Sequence, residues 1–297
     1  MQTTAQIARS FRPGTNSKLY QNSELARHHD HVWDSNEDPT AAVIWDFSTA
    51  LRRWHLWVRL GWQDVMLRYR RSLIGPFWLT LSMGIMVGTL GLIYGELFNI
   101  EAKSYLPYLT VGLLVWGLIS SCISDGCQTF IESHWLILQI NVPLSMFPLR
   151  VIWRNIIIFL HNIVIYLFIV LIFGVKFSWI TFAAIPGLLL IFVNAFWCAI
   201  LLGMLSARFR DLPQIVASML QIAFFATPIF WHANLITTKI VVVANPFYHF
   251  IELVRSPLLG QAPAMTSWVI AGTVTVVGAG GTFLFFRRFR HRISVWV

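Results

Sequence analysis

From residue 77 onward this chain is dominated by six long apolar stretches, at 77–98, 105–124, 155–175, 180–207, 215–231 and 267–286. Each is close to the ~20 apolar residues that a helix rising ~1.5 Å per residue needs to cross ~30 Å of hydrocarbon. Hydrocarbon offers the backbone no water, so each stretch must satisfy its N–H and C=O groups internally, and helices are the expected form. Composition excludes a soluble alternative. Hydrophobic residues make up 57% and charged residues 12% of 297, with a mean hydropathy of +0.65, more apolar area than a soluble protein of this size can hide. The expected fold class is an all-α polytopic membrane protein with six transmembrane helices.

Charge gives the orientation. With a cytoplasmic N-terminus and six alternating spans, all 22 Lys and Arg residues except Lys103, Lys176, Lys239 and Arg255 fall in cytoplasmic segments. That asymmetry fits the rule that basic residues stay inside, and puts both termini in the cytoplasm. The net charge of +9 does not point to nucleic acid, because the basic residues adjoin apolar spans and are not gathered on a polar face with exposed aromatics. The three cysteines lie in or beside spans, which leaves no disulfide framework.

Residues 1–45 lack the apolar core of a signal peptide and are rich in Ser, Asn, His and Asp, the composition of a flexible cytoplasmic tail. His28, His29 and His31 with Asp30 and Asp34 have metal-ligand chemistry, but nothing around them would fix a coordination geometry, and no metal site is expected. Across 46–76, Leu51, Trp54, Val58, Trp62, Val65, Met66 and Tyr69 gather on one side of a helical wheel, with Arg53, Arg59, Gln63, Asp64, Arg70 and Arg71 on the rest. This is an N-terminal amphipathic interfacial helix, with its aromatics at headgroup level and Arg toward water and lipid phosphate. It serves either as a plain anchor or as a collar at the entrance of a transport path. Residues 77–297 form the six-span membrane domain.

Two connections are unusual. The loop 125–154 contains an apolar–polar run and then Pro143 and Pro148, which suits a short helix held at the membrane face, either docking a soluble partner or merely joining two spans. Between spans 5 and 6, 35 residues are too apolar for a solvated loop and too broken by Pro246, Pro257, Gly260 and Pro263 for a span. A re-entrant hairpin is expected there, with a kink at Thr227-Pro228 leading into it. Within the spans His161, Asn162, Asn194 and Gln221 are isolated polar groups, suited to interhelical hydrogen bonds, and the paired mid-membrane charges of an ion-driven carrier are absent. Of the many aromatics, Tyr94, Trp116, Phe224 and Phe225 lie deep in spans. They are either core packing or a path on which sugar rings stack their C–H faces.

Several motifs occur in a telling order. They are Val58-Arg59-Leu60; Leu67-Arg68-Tyr69-Arg70-Arg71-Ser72-Leu73-Ile74-Gly75-Pro76-Phe77-Trp78; Gly112-Leu113-Leu114-Val115-Trp116; Arg208-Phe209-Arg210-Asp211-Leu212; and Thr227-Pro228-Ile229-Phe230. Asn245-Pro246-Phe247 with Arg255 and Leu258-Leu259-Gly260 follows, then a basic tail ending at Trp296. This series, covering about residues 50–297, resembles the membrane subunits of bacterial polysaccharide ABC exporters, the type-2 exporter permeases for O-antigen, capsule or teichoic acid.

The resemblance implies a multi-pass protein of the bacterial inner membrane, working as a homodimer above two copies of a cytoplasmic ABC ATPase, with lipid-linked glycan as substrate. It implies that Arg68, Tyr69, Arg70 and Arg71 sit at the cytoplasmic entrance, where guanidinium groups meet lipid pyrophosphate. Glu132, Ser133, Leu136 and Pro143 would couple to the ATPase. Thr227, Pro228, Asn245, Pro246 and Arg255 would shape the outer gate, with Tyr94, Trp116, Phe224 and Phe225 as path candidates. The chain itself has no phosphate-binding loop, because none of its four lysines follows a glycine. It is thus a non-catalytic subunit with no cofactor of its own, ATP and Mg belonging to the partner. Rival readings are a permease for a small molecule or drug, a membrane glycosyltransferase (disfavoured by sparse acidic residues in short loops), and a scaffold without transport.

Overall fold

The computed structural model describes residues 38–70, 77–140, 142–175, 178–235, 237 and 239–297. Twelve α-helices account for most of these residues, and no strand occurs among them. Two come before the first span: α1 (Pro39–Arg52), capped by Asp38, whose side chain accepts from Thr40 N–H, and α2 (Trp54–Tyr69). The interruption at Arg53 makes two elements of what the hydrophobic wheel reads as one, and helix begins within the expected tail. Residues 1–37, including the His/Asp cluster, lie outside the described residues, as do Arg71 and the stretch 72–76.

Five helices are long and apolar enough to cross a membrane: α3 (Phe77–Leu97), α4 (Ala102–Glu132), the short α5 (His134–Gln139) being skipped, then α6 (Met146–Phe173), α7 (Ala184–Arg208, extended by a 3₁₀ turn at Trp179–Ala183) and α11 (Met265–Phe289). The fifth apolar stretch gives α8 (Leu212–Ala226), whose 15 residues span only ~22 Å at the usual rise. It stops at Thr227, which is extended, because Pro228 has no N–H to continue the ladder and disfavours helical backbone in the residue before it. The broken region holds α9 (Lys239–Val243) and α10 (Pro246–Leu258), and the chain closes with α12 (Ile293–Trp296). Asn245 caps α10 by accepting from Phe247 N–H, and Pro246 occupies the first turn, where its missing donor costs nothing.

Helix α4 is the centre of the bundle. Every residue from Leu109 to Trp116 is buried, and α4 packs on α3, α6, α7, α8 and α10. The other long helices turn large apolar residues outward, such as Leu92 on α3, Leu171 on α6 and Val276 on α11, as a lipid-facing surface requires. Of the isolated polar groups Asn194 serves the expected purpose: on α7 it donates to Thr275 on α11 at 2.7 Å and accepts from Trp197 Nε1 at 2.9 Å, whereas His161 Nδ1 meets Ile157 O of its own helix at 2.8 Å.

The buried side chains form two clusters. One fills the bundle around α4. The second, at the Arg-rich end, joins Val43 and Ala50 of α1 to Phe130, Phe147, Met204 and Phe286. Among the described residues only Phe196 packs against both.

Candidate functional site

At the end of the bundle away from the Arg-rich face, the extended segment after α8 is hung by its carbonyls. Tyr105 Oη donates to Phe230 O (2.5 Å), and Tyr108 Oη lies within reach of Pro228 O (3.2 Å) and Trp231 O (3.1 Å). Arg255 Nη1 donates to Pro228 O at 2.8 Å, and Asn245 Nδ2 to Thr227 Oγ1 at 2.8 Å. Arg255 is only 1% exposed. Its charge is compensated by an ion pair with Glu252, one turn earlier on α10, and by the Tyr108 ring, whose centroid is 3.9 Å from the guanidinium carbon. Ser256 Oγ holds the other Glu252 oxygen. Thus Thr227, Pro228, Asn245 and Arg255, scattered in sequence, meet in one hook, and Pro246 starts the helix that carries Arg255. Glu252, Tyr105 and Tyr108 escape the sequence reading. The i,i+3 spacing of Glu252 and Arg255 on an apolar helix was the available signal.

Gly112 of α4 faces this hook. A Cβ there would stand 3.0 Å from Ile229 O and 3.3 Å from Arg255 Nη1. Gly112→Ala is therefore expected to push the segment off α4 and to cost about 1–3 kcal/mol, read as a lower melting temperature of the purified protein.

The four deep aromatics belong to one chain of rings. Tyr94 is 5.0 Å from Phe230, Phe230 is 5.7 Å from Phe224 and 6.2 Å from Phe225, and Trp116 lies 5.9 Å from Phe224 and 5.5 Å from Phe247. Trp116 is buried, whereas Phe225 is 58% exposed on α8, a helix without a buried residue. One end of the ring chain is core packing and the other an open surface.

At the Arg-rich end an ionic network ties three helices. Asp64 of α2 takes both oxygens to Arg150 of α6 (2.7 and 2.6 Å) and lies 3.7 Å from Arg154. Arg154 pairs with Asp125 of α4 at 2.9 Å and approaches Glu132 at 3.9 Å, while Asn155 donates to Asp125 at 3.0 Å. Asp64, expected on the water-facing side of its helix, therefore turns inward. Close approach is what allows it: a Cβ on Gly61 would stand 3.0 Å from Arg150 O. The opposite face keeps Trp54, Trp62 and Met66 outward, each more than half exposed, whereas Val65 of the same expected stripe is buried. Beside the network, α2, α3, α4 and α6 border a cleft of about 210 Å³ whose polar lining is Arg68, Ser121, Asp125, Asn155 and Asn162 and whose remaining wall includes Leu114 and Phe159. Tyr69 is half-buried and Arg70 exposed at the end of α2.

The α4–α6 connection bears α5. Ser133 and Pro143 are buried and Leu136 is half-buried, so three of the four expected coupling residues anchor the element. Its free face is formed by Trp135 (65% exposed) and Leu138 (57%), which sequence reading passed over, and Glu132 stays exposed beside them.

A buried central helix surrounded by long helices with outward apolar faces defines a multi-pass membrane protein. The family model of the ABC-2 type transporter matches residues 55–259, from within α2 to the end of α10, and the chain belongs to that family. Relatives include the O-antigen export system permease protein RfbA of Myxococcus xanthus, 28% identical over 185 residues covering 59% of this chain and 68% of the relative. A Klebsiella pneumoniae protein of the same name is 22% identical over 240 residues, 78% of this chain and 91% of its own length.

Proposed function

We propose that this chain is the membrane subunit of an ATP-driven exporter of lipid-linked polysaccharide, of the O-antigen or capsule class, acting across the inner membrane as a homodimer with two copies of an ABC ATPase. The observation that carries this reading is the likeness to O-antigen export permeases along 78% of the chain. The hook, ring chain and collar are assigned in this reading to the outer gate, the path and the entrance. In this reading α8 with its hooked extension completes a sixth crossing, 232–266 is the re-entrant outer hairpin, and both termini are cytoplasmic. Arg68, Tyr69 and Arg70 receive the lipid pyrophosphate at the inner face, with Arg71 beside them. The exposed Trp135 and Leu138 of α5 dock the ATPase, whose closure moves α5 and, through the ionic network, α2. The open face of α8, with Phe225, meets its symmetry mate around the path, and the buried hook braces the outer gate from behind. A polymer longer than the membrane is thick needs such a continuous path, since no closed pocket could hold it.

The test is reconstitution. Proteoliposomes holding this chain and its ATPase are expected to move a lipid-linked glycan, labelled at its sugar end, to the protected side only with ATP and Mg. Export of small fluorescent drugs but no glycan would support the small-molecule reading. Loss of teichoic acid rather than O-antigen on deletion would change the polymer and leave the mechanism.

A further inference from the structure

Asp46 has no part in the reading above, yet it is the most completely buried carboxylate among the described residues, with 0% exposed. It lies in the middle of the buried stripe of α1, between Val43 and Ala50. Its Oδ2 accepts from Leu144 N–H and its Oδ1 from Ser145 N–H, both at 2.9 Å, and Ser145 Oγ closes a third hydrogen bond to Oδ1. These donors belong to the last turn of the α5–α6 connection. Ser145 is the capping residue of α6 by position, but its own side chain makes no capping bond within α6. Asp46 thus holds from another helix the two residues that lead into α6, whose first amides, Met146 and Phe147, donate to Pro143 O and Leu144 O. Burial pushes the Asp46 carboxyl up, while the Ser145 and Leu144 donors and the Arg290 charge pull it down.

The same buried face of α1 is committed in a second direction. Phe47 stacks on Phe286 of α11 and meets Phe196 of α7 edge-on, both at 5.7 Å, and Arg287 reaches Thr40 at 3.3 Å. Helix α1 is therefore a strap from the end of the α5–α6 connection to the basic end of α11, with a further contact at Phe196 in the middle of α7. A connection held only by its own backbone would absorb a push on α5 by bending. One whose final amides are fixed to a packed helix passes it on.

We propose that Asp46 is a positioning residue for coupling: by clamping Leu144 and Ser145 to α1 it delivers movement of α5 to α7 and α11, and the clamp stays closed throughout the cycle. This rests on the proposed role of α5 as the ATPase-facing element. A carboxylate with three donors at a moving joint, where an apolar residue would pack as well, is what a joint that has to stay in register requires.

The test uses the whole transporter with its ATPase in proteoliposomes, reading ATP hydrolysis and glycan export on the same sample. In D46A, export is expected to fall about tenfold or more, as removal of several buried hydrogen bonds implies, while hydrolysis stays near the wild-type rate. In the pair D46C/S145C, the reduced protein is expected to behave like D46A and the oxidised, cross-linked protein to regain export. Wild-type export by D46A, a parallel fall of hydrolysis and export, or a cross-linked pair that remains inactive would each overturn the proposal. If D46A does not reach the membrane, the oxidised-against-reduced comparison decides alone. A wild-type complex that hydrolyses ATP but exports no glycan would instead sink the functional reading.

Discussion

Replacing Arg255 by Ala is expected to abolish export and to destabilise the protein by about 3–5 kcal/mol, the usual cost of stranding one half of a buried ion pair. Arg255 is 1% exposed, and its removal leaves the Glu252 carboxylate without its counter-charge, Pro228 O with only the 3.2 Å contact from Tyr108, and the Tyr108 ring without its cation. Lys is a poor substitute, because one ammonium cannot serve Glu252 and Pro228 in the fork geometry that the guanidinium uses. The decisive comparison is the double variant Arg255→Met with Glu252→Gln. It removes both charges and is expected to recover much of the melting temperature while leaving export low, because the 227–231 segment has still lost its strongest donor. If Arg255→Ala melts and transports like the wild type, the hook has no mechanical importance.

The second large effect is expected at the opposite end. Arg154 is 9% exposed at its side chain and serves Asp64, Asp125 and Glu132 on two different helices. Arg154→Ala is expected to cost about 2–3 kcal/mol, because Asp125 keeps only the amide of Asn155. Asp64 retains Arg150, so the collar remains attached but loosened. Asp125→Asn in the Arg154→Ala background is expected to return part of the loss, giving a coupling of about 0.5–3 kcal/mol in a double-mutant cycle on thermal unfolding. Additive losses would mean that the pair does not interact. Raised salt should change little, since the pair is poorly accessible to counter-ions.

The membrane segments were readable because hydrocarbon admits so few solutions for the backbone. What escaped was chiefly where charge is internal. Helix α4 runs on to Glu132, beyond the expected end at 124, and α6 begins at Met146, ahead of the expected start at 155. In both places Asp125, Arg150 and Arg154 read as solvated loop residues, whereas they are partners of one another and of Asp64. Periodicity alone cannot tell a charge facing water from one facing its counter-charge. In the same way α8 reads through to 231 because Ile229, Phe230 and Trp231 are apolar, yet their segment is held by side-chain donors from α4 and α10 that no local pattern announces. The hook residues Thr227, Asn245 and Arg255 were found through motif order, although Asn245-Pro246 also has the plainer task of starting a helix. The first half of α1, before residue 46, was read as tail, because a short segment following a polar stretch betrays its buried face only when its partners are known.

The near-separation of the two buried clusters at Phe196 has a practical corollary. If each layer closes its own packing, grafts between related permeases should tolerate a seam at that level: one parent contributing the portion that answers the motor, another the portion that meets the cargo. Cuts elsewhere along α4 or α7 would sever complementary surfaces within a layer, and such hybrids should misassemble.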